Sequence, residues 1–296
     1  MTTPLRDGLA AGLRADGLDP AVVERVIRTA LDEDLAFGPD VTTDSTVPAD
    51  AVATGDVTPR SIGVLAGVHV AAAVFDLVGG AAVEVLVHEA DGATTEPGLP
   101  VLTVTGPTRS LLTAERTALN LVCHLSGIAS LTRQWADAIA GTGAAVRDTR
   151  KTTPGLRALE KYAVRRGGGV NHRMALGDAA LVKDNHVAAA GGIAAAVAAV
   201  RTTAPEIPLE VECDTLDQVR EAIAAGVQLV LLDNFSTADT RTAVELVRGT
   251  GVRLEASGGL DLARAAEVAA TGVDYLAVGA LTHSAPVLDL GFDLRP

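Results

Sequence analysis

Aromatic residues are almost missing from this 296-residue chain: one Trp, two Tyr and four Phe make up 2% of it. Its core must therefore come from Ala, Val, Leu and Ile, within a hydrophobic fraction of 48%. Such short aliphatic side chains suit α/β packing, with Val and Ile in strands and Ala and Leu in helices. Basic residues are scarce as well. Lys and Arg number 24 against 37 Asp and Glu, a formal charge of −13. That argues against general nucleic-acid binding, which needs basic surface. Cysteine is limited to Cys123 and Cys213, each inside an apolar run. Two buried thiols are expected rather than a disulfide, which fits a reducing, cytoplasmic compartment. The start of the chain has no apolar signal stretch, and no window reaches the roughly 18 uninterrupted apolar residues of a membrane span. No Walker A sequence, HExxH or CxxC occurs, which speaks against P-loop and zinc chemistry. Gly141-Thr142-Gly143 resembles part of a dinucleotide fingerprint, but the third glycine is missing and a helical pattern precedes it.

What is present changes along the chain. Asp19-Pro20 opens a helix, with an N-cap acceptor and proline at the first helical position. Short β segments are expected around 52–58, 62–66, 83–87 and 101–105, separated by turns at Asp91-Gly92, Pro97-Gly98 and Gly106-Pro107. A long helical stretch runs from about Leu111 to Ala140, with Ser126-Gly127 as a candidate break. Beyond Gly141, apolar strands near 144–148, 179–183, 208–213, 227–233, 252–257 and 274–279 alternate with helical patterns. Such alternation means parallel β with right-handed crossovers. Nearly every one of these strands ends in a polar or glycine residue: Arg150-Lys151, Lys183, Glu212, Asp233, Ser257, Gly279. A barrel gathers those ends at one mouth, whereas an open sheet spreads them along an edge. The expectation is an α/β barrel preceded by an α+β domain.

Three sets of residues carry chemistry. Residues 147–183 hold nine of the 24 basic residues and three of the 37 acidic ones, an isolated cationic island in an acidic protein. Its partner is expected to be an anionic small molecule. Arg157, Lys161, Arg165 and Arg166 fall on one side of a helix and read as a solvated face. Arg150, Lys151, His172, Arg173 and Lys183 flank strands and Gly-rich turns and read as functional. The second set is acidic. Alternation puts Glu210 and Glu212 on one strand face, and Asp233 ends the next strand. Such acids can bind Mg²⁺, meet sugar hydroxyls or stabilise a cationic sugar centre. A buried acid can also simply pair with Lys183, a role open to Glu210, the weaker functional candidate. The third set, Ser257-Gly258-Gly259 and Val278-Gly279-Ala280, offers two glycine turns at helix starts late in the barrel, where phosphate is often held. His124, on the long helix, is expected to be a satisfied core or interface histidine.

Together these stretches resemble the quinolinate phosphoribosyltransferase family. The matching pieces are Asp40-Val41-Thr42-Thr43, Ala114 to Asn120, Asp148 to Gly155, Gly168 to Arg173, Lys183 to His186, Glu210 to Glu212, Leu232-Asp233-Asn234, Ser257-Gly258-Gly259 and the turn at 278–284. The resemblance implies an N-terminal open-faced α+β sandwich (residues 1–113, with 285–296 returning to it). It also implies an incomplete α/β barrel of seven strands over 114–284, one more than the patterning finds. It further implies a homodimer or higher homo-oligomer in which Arg116 serves the neighbouring chain's site. Residue by residue, Arg150, His172, Arg173 and Lys183 would hold the quinolinate carboxylates. Lys151 and the other chain's Arg116 would face substrate and pyrophosphate. Glu212 and Asp233 would meet ribose hydroxyls and Mg²⁺, while Ser257, Gly258, Gly279 and His283 would cradle the 5′-phosphate. The implied catalytic residues are Glu212, Lys151 and Asp233. The implied reaction joins quinolinate to phosphoribosyl pyrophosphate and releases carbon dioxide and pyrophosphate, giving nicotinate mononucleotide.

Three rivals remain at this level: a related transferase acting on nicotinate, the molybdenum-transport-associated paralogue, and a silent phosphate-ligand binding barrel. The number of cations at the mouth favours two substrate carboxylates over one. Arg116, Lys151, Glu212 and Asp233 together argue against a silent binder, which would not need both charge sets.

Overall fold

The computed structural model describes residues 5–295. The elements in chain order begin with α1 (Asp7–Ala15), α2 (Pro20–Asp34), α3 (Val41–Thr46), β1 (Val52–Pro59), α4 (Val68–Gly79), β2 (Glu84–Val87) and β3 (Leu102–Pro107). The long helix α5 (Thr108–Ala138) leads to β4 (Ala145–Arg147), α6 (Arg157–Arg166), β5 (Ala180–Val182), α7 (Asp184–Ala190) and α8 (Ile193–Thr203). Then come β6 (Leu209–Cys213), α9 (Leu216–Ala224), β7 (Leu229–Asp233), α10 (Thr237–Val247) and β8 (Arg253–Ser257). The chain ends with α11 (Ala265–Ala269), β9 (Tyr275–Ala277), α12 (Ala280–His283) and β10 (Leu290–Arg295). Two compact units emerge. The first holds the residues up to Leu131, Thr153–Gly167 and those from Ser284; the second holds Thr132–Thr152 and Gly168–His283.

The first unit is built on an antiparallel sheet in the order β10-β1-β3-β2. β1 lies between β10 and β3, and Thr54 and Thr105 join their hydroxyls across the β1–β3 pair at 3.0 Å. Helix α4 packs on β2 and β3. Nine of its residues are buried, as expected of a helix that is apolar all round. Asp19 caps α2 by accepting from the Ala21 N–H at 2.9 Å, as the Asp-Pro signal predicts. The segment expected as a strand at 62–66 forms only a single bridge, Val64 to Thr94. The candidate break at Ser126-Gly127 does not interrupt α5. Ser126 Oγ accepts the Ala66 N–H at 3.0 Å, and Pro286 backbone occupies the space beside Gly127 where a Cβ would project. The pair marks close packing against the helix, not its end. Lys161 is a second correction: it is fully buried, not part of a solvated face. His124 is partnered as expected, 2.9 Å from the buried Glu160 carboxylate.

The second unit is a parallel sheet in the order β4-β9-β8-β7-β6-β5. Its crossover helices start on side-chain caps: Thr215 and Gln218 form a capping box on α9, and Ser236 caps α10. The assigned strands number six, where the resemblance implies seven. The extra position is taken by a one-residue parallel bridge between Arg147 and Val170, flanked by Val170 N–H to Val146 O at 2.9 Å. Among the described residues no ladder joins Val170 to β5, so the barrel stays incomplete.

Candidate active site

Residues at or just beyond the carboxyl ends of all six strands line one cavity of ≈ 460 Å³ in the second unit. Period-2 alternation selects them. In β8, Glu255 and Ser257 line the cavity while Leu254 and Ala256 are buried away from it. In β7, Leu231 and Asp233 line it while Val230 and Leu232 do not. The curled sheet thus brings strand ends far apart in sequence to a single mouth, as a barrel does.

Eight of the expected site residues line this cavity: Arg150, Lys151, His172, Arg173, Lys183, Glu212, Asp233 and Ser257. Gly279 is close by, since a Cβ there would stand 2.9 Å from Lys151 Cδ and 3.3 Å from His283 Nε2. Gly258 adopts φ +88° against Asn234, a left-handed position that strains any other residue. Arg116 lies on α5 in the first unit, with its side chain 65% exposed and 4.0 Å from the Glu115 carboxylate.

The cationic wall is held by backbone-directed acids. Asp148, fully buried, accepts from Asn171 Nδ2 at 2.5 Å and from the His172 N–H at 2.8 Å, which fixes the loop carrying Arg173. Asp178 accepts from the Met174 and Ala175 N–H groups and closes the other side of that loop. The hydroxyl of Thr282 donates to Lys151 O at 2.7 Å and ties the two phosphate-side turns together. Burial, and then repulsion from Arg150, lowers the pKa of Arg173. The Arg150 Nε is buried without a hydrogen-bond partner. Two guanidiniums crowded together, one with an unused donor, are poised for bidentate anions.

Lys183 Nζ meets Glu212 Oε2 at 2.5 Å, and Asn234 Nδ2 donates to Asp233 Oδ2 at 2.7 Å. Lys183 therefore pairs with Glu212 and not with Glu210, the acid open to that role in the sequence. Glu210 instead lies 2.8 Å from His172 Nε2, and both are buried. His172 Nδ1 accepts the Arg173 N–H at 2.6 Å, so both ring nitrogens are engaged within the protein. Sequence reading missed Arg147 and Glu255, which form an ion pair at 2.5 Å beneath the cavity. The sequence carries a signal for Glu255, since Arg253, Glu255 and Ser257 alternate along one strand.

Two family descriptions match the chain. "Quinolinate phosphoribosyl transferase, N-terminal domain" covers residues 40–126, and "Quinolinate phosphoribosyl transferase, C-terminal domain" covers 128–293. The nicotinate-nucleotide pyrophosphorylase [carboxylating] of Mycobacterium leprae is 58% identical over 271 residues, spanning 90% of this chain and 95% of that one. The solved structure of the nicotinate-nucleotide pyrophosphorylase from Francisella tularensis superposes with a TM-score of 0.88 at 38% identity, over 93% of this chain and 96% of that one. NadC from Streptococcus pyogenes gives 0.88 at 41% identity, over 94% and 97%.

Proposed function

Since the chain belongs to the quinolinate phosphoribosyltransferase family, we propose that it joins quinolinate to phosphoribosyl pyrophosphate and releases carbon dioxide and pyrophosphate, a step of NAD biosynthesis. The observation that carries this reading at the level of the site is the crowded pair Arg150 and Arg173. With Lys183 they line one wall of a cavity whose facing strands end in Glu212 and Asp233. A dianionic ring suits the first wall and a ribose that gains positive charge suits the second.

On this reading Arg150, Arg173 and Lys183 bind the two carboxylates, and the substrate displaces Lys183 from its pair with Glu212. The pyridine nitrogen attacks ribose C1 as pyrophosphate leaves, and no strong base is needed. Positive charge builds on the ribose, where Glu212 stabilises it electrostatically. Lys151 faces the departing pyrophosphate. Ser257 and the Gly258 and Gly279 turns take the 5′-phosphate with His283, using backbone N–H groups. Once glycosylated, the nitrogen is cationic and stabilises the electron pair left on C2 as the neighbouring carboxylate departs as carbon dioxide.

Mg²⁺ fits the acidic wall. Glu212 and Asp233 end adjacent strands and line the same cavity, and hard carboxylate oxygens with substrate phosphates are its usual surroundings. Bound there, it would offset charge on the pyrophosphate. We further infer a cytoplasmic homodimer in which Arg116 of one chain serves the site of the other. Its exposed side chain supports that role.

The deciding experiment supplies purified protein with Mg²⁺, phosphoribosyl pyrophosphate and either quinolinate or nicotinate. Nicotinate mononucleotide should form from quinolinate, while nicotinate should be a poor substrate. Equal turnover of nicotinate would show that the second carboxylate is not read.

A further inference from the structure

We propose that Glu255 is the acid that protonates C2 of the pyridine once carbon dioxide has left, a role that rests on the quinolinate reading above. Glu255 precedes Ser257 by two residues in β8, so both face the cavity and Glu255 sits one layer deeper. Its residue is fully buried, yet it forms part of the cavity wall. Oε2 accepts from Arg147 Nη1 at 2.5 Å, which fixes the carboxyl group. Oε1 has no hydrogen-bond partner.

The groups facing it come from three directions. Arg147 reaches in from β4, its guanidinium also stacked 4.8 Å over the Tyr275 ring of β9. Glu210 projects from β6, and its Oε1 is likewise unpartnered. His172 places Nε2 2.8 Å from Glu210 Oε2 and 3.7 Å from Glu255 Oε1. Because His172 Nδ1 accepts a backbone N–H, the ring proton belongs on Nε2 and is donated to Glu210. That also argues against a metal held by these three residues, since Nε2 could ligate only with its lone pair free.

Two carboxylates crowd one guanidinium and one imidazole in a dry space, and burial there favours the protonated form of Glu255. Burial first, and Glu210 second, push the Glu255 carboxyl up to about 7. Of the pair, Glu255 lines the cavity and Glu210 does not.

The step balances. The C2–carboxylate bond breaks, carbon dioxide leaves, and the electron pair stays on C2 beside the cationic nitrogen. The Oε1–H bond then breaks, the proton joins C2 and the electron pair stays on oxygen. The carboxylate regains one proton from solvent for each carbon dioxide released. Until C2 is protonated, carbon dioxide can recombine, so the acid commits the reaction.

A single turnover separates the steps, with enzyme in excess over quinolinate, saturating phosphoribosyl pyrophosphate and Mg²⁺, and both products followed in time. In Glu255→Gln, pyrophosphate should appear within a few-fold of the normal rate. Carbon dioxide should lag by about 100-fold or more, the usual scale of general acid catalysis, as ribosylated dicarboxylate accumulates. In the unaltered enzyme, carbon dioxide formation should slow as pH rises through about 7, while pyrophosphate formation does not. Parallel slowing of both products, or slowing of neither, overturns the proposal. A carbon dioxide step indifferent to pH in the unaltered enzyme overturns it too, even if the variant does not fold. Failure of the unaltered enzyme to make either product would instead remove the reading of the reaction itself.

Discussion

At the scale of single residues, the acidic wall and a surface histidine give separate expectations. Glu212 is held by Lys183 at 2.5 Å and ends a strand beside the cavity, where positive charge is expected to build. Glu212→Gln should lower kcat by roughly 10²–10³ and change quinolinate affinity much less, because the carboxylate is needed in the transition state. A kcat within a few-fold of normal would make Glu212 structural. Far from that wall, His69 Nδ1 meets Asp16 Oδ2 at 2.6 Å. This bond raises the pKa of His69, burial opposes the shift, and the Asp16 and Asp91 charges add to it. A raised pKa gives stability that is complete below the unfolded value of about 6.5 and disappears as pH climbs through the folded one. His69→Gln should therefore lower the melting temperature near pH 6 and change it little near pH 9; an equal loss at both would show that packing matters and charge does not. Much of the site was legible at this scale. Arg150, Arg173, Lys183 and Glu212 stand out as charges at strand ends, and strand ends are readable. Lys161 was not, because burial of a charged residue depends on which elements close over it, and local spacing carries no record of that.

At the scale of elements, alternation and caps carried the prediction well and packing did not. Six parallel strands lie within a residue or two of their expected ranges, since apolar runs bounded by turns dictate them. Val64 bridges only to Thr94, so the pattern at 62–66 lacked the partner that makes a strand. Ser126-Gly127 misled in the opposite way, as small residues admit a neighbouring chain without breaking a helix. The same kind of contact gives a test in the antiparallel sheet. β1 and β10 pair with Gly55 opposite Leu294, and the ring of Phe292 fills the space where a Gly55 Cβ would project. Phe292 also stacks on Phe75 of α4 at 5.5 Å. Gly55→Ala should cost about 1–3 kcal/mol by overpacking. Phe292→Leu should recover part of that loss in the double variant, although it destabilises alone. Chemical denaturation of the four proteins reads the coupling, and strict additivity would mean that the ring does not limit the site.

At the scale of the whole molecule, the cavity is lined by one unit of the chain, while Arg116 belongs to the other, and its side chain is 65% exposed. No patterning in the sequence assigns such a residue to a site, because the assignment requires knowing which copy of the chain it faces. The shared-site dimer makes a sharp expectation of it. Arg116→Ala and Lys151→Ala should each be nearly inactive alone and regain activity when mixed. In a hybrid dimer one site carries both lesions and the other carries neither. Random re-pairing of equal stocks makes half the dimers hybrid, each with one intact site of two, so roughly a quarter of normal activity should return. The variants are unfolded and refolded together, or co-expressed with different tags and the hybrid isolated, with each variant processed alone as the control. Hybrids as inactive as their parents, after exchange has been verified by the tags, would place Arg116 in the service of its own chain. An intermediate recovery proportional to the hybrid fraction would count the intact sites directly, because only a residue contributed across the interface can be complemented by a chain that lacks Lys151.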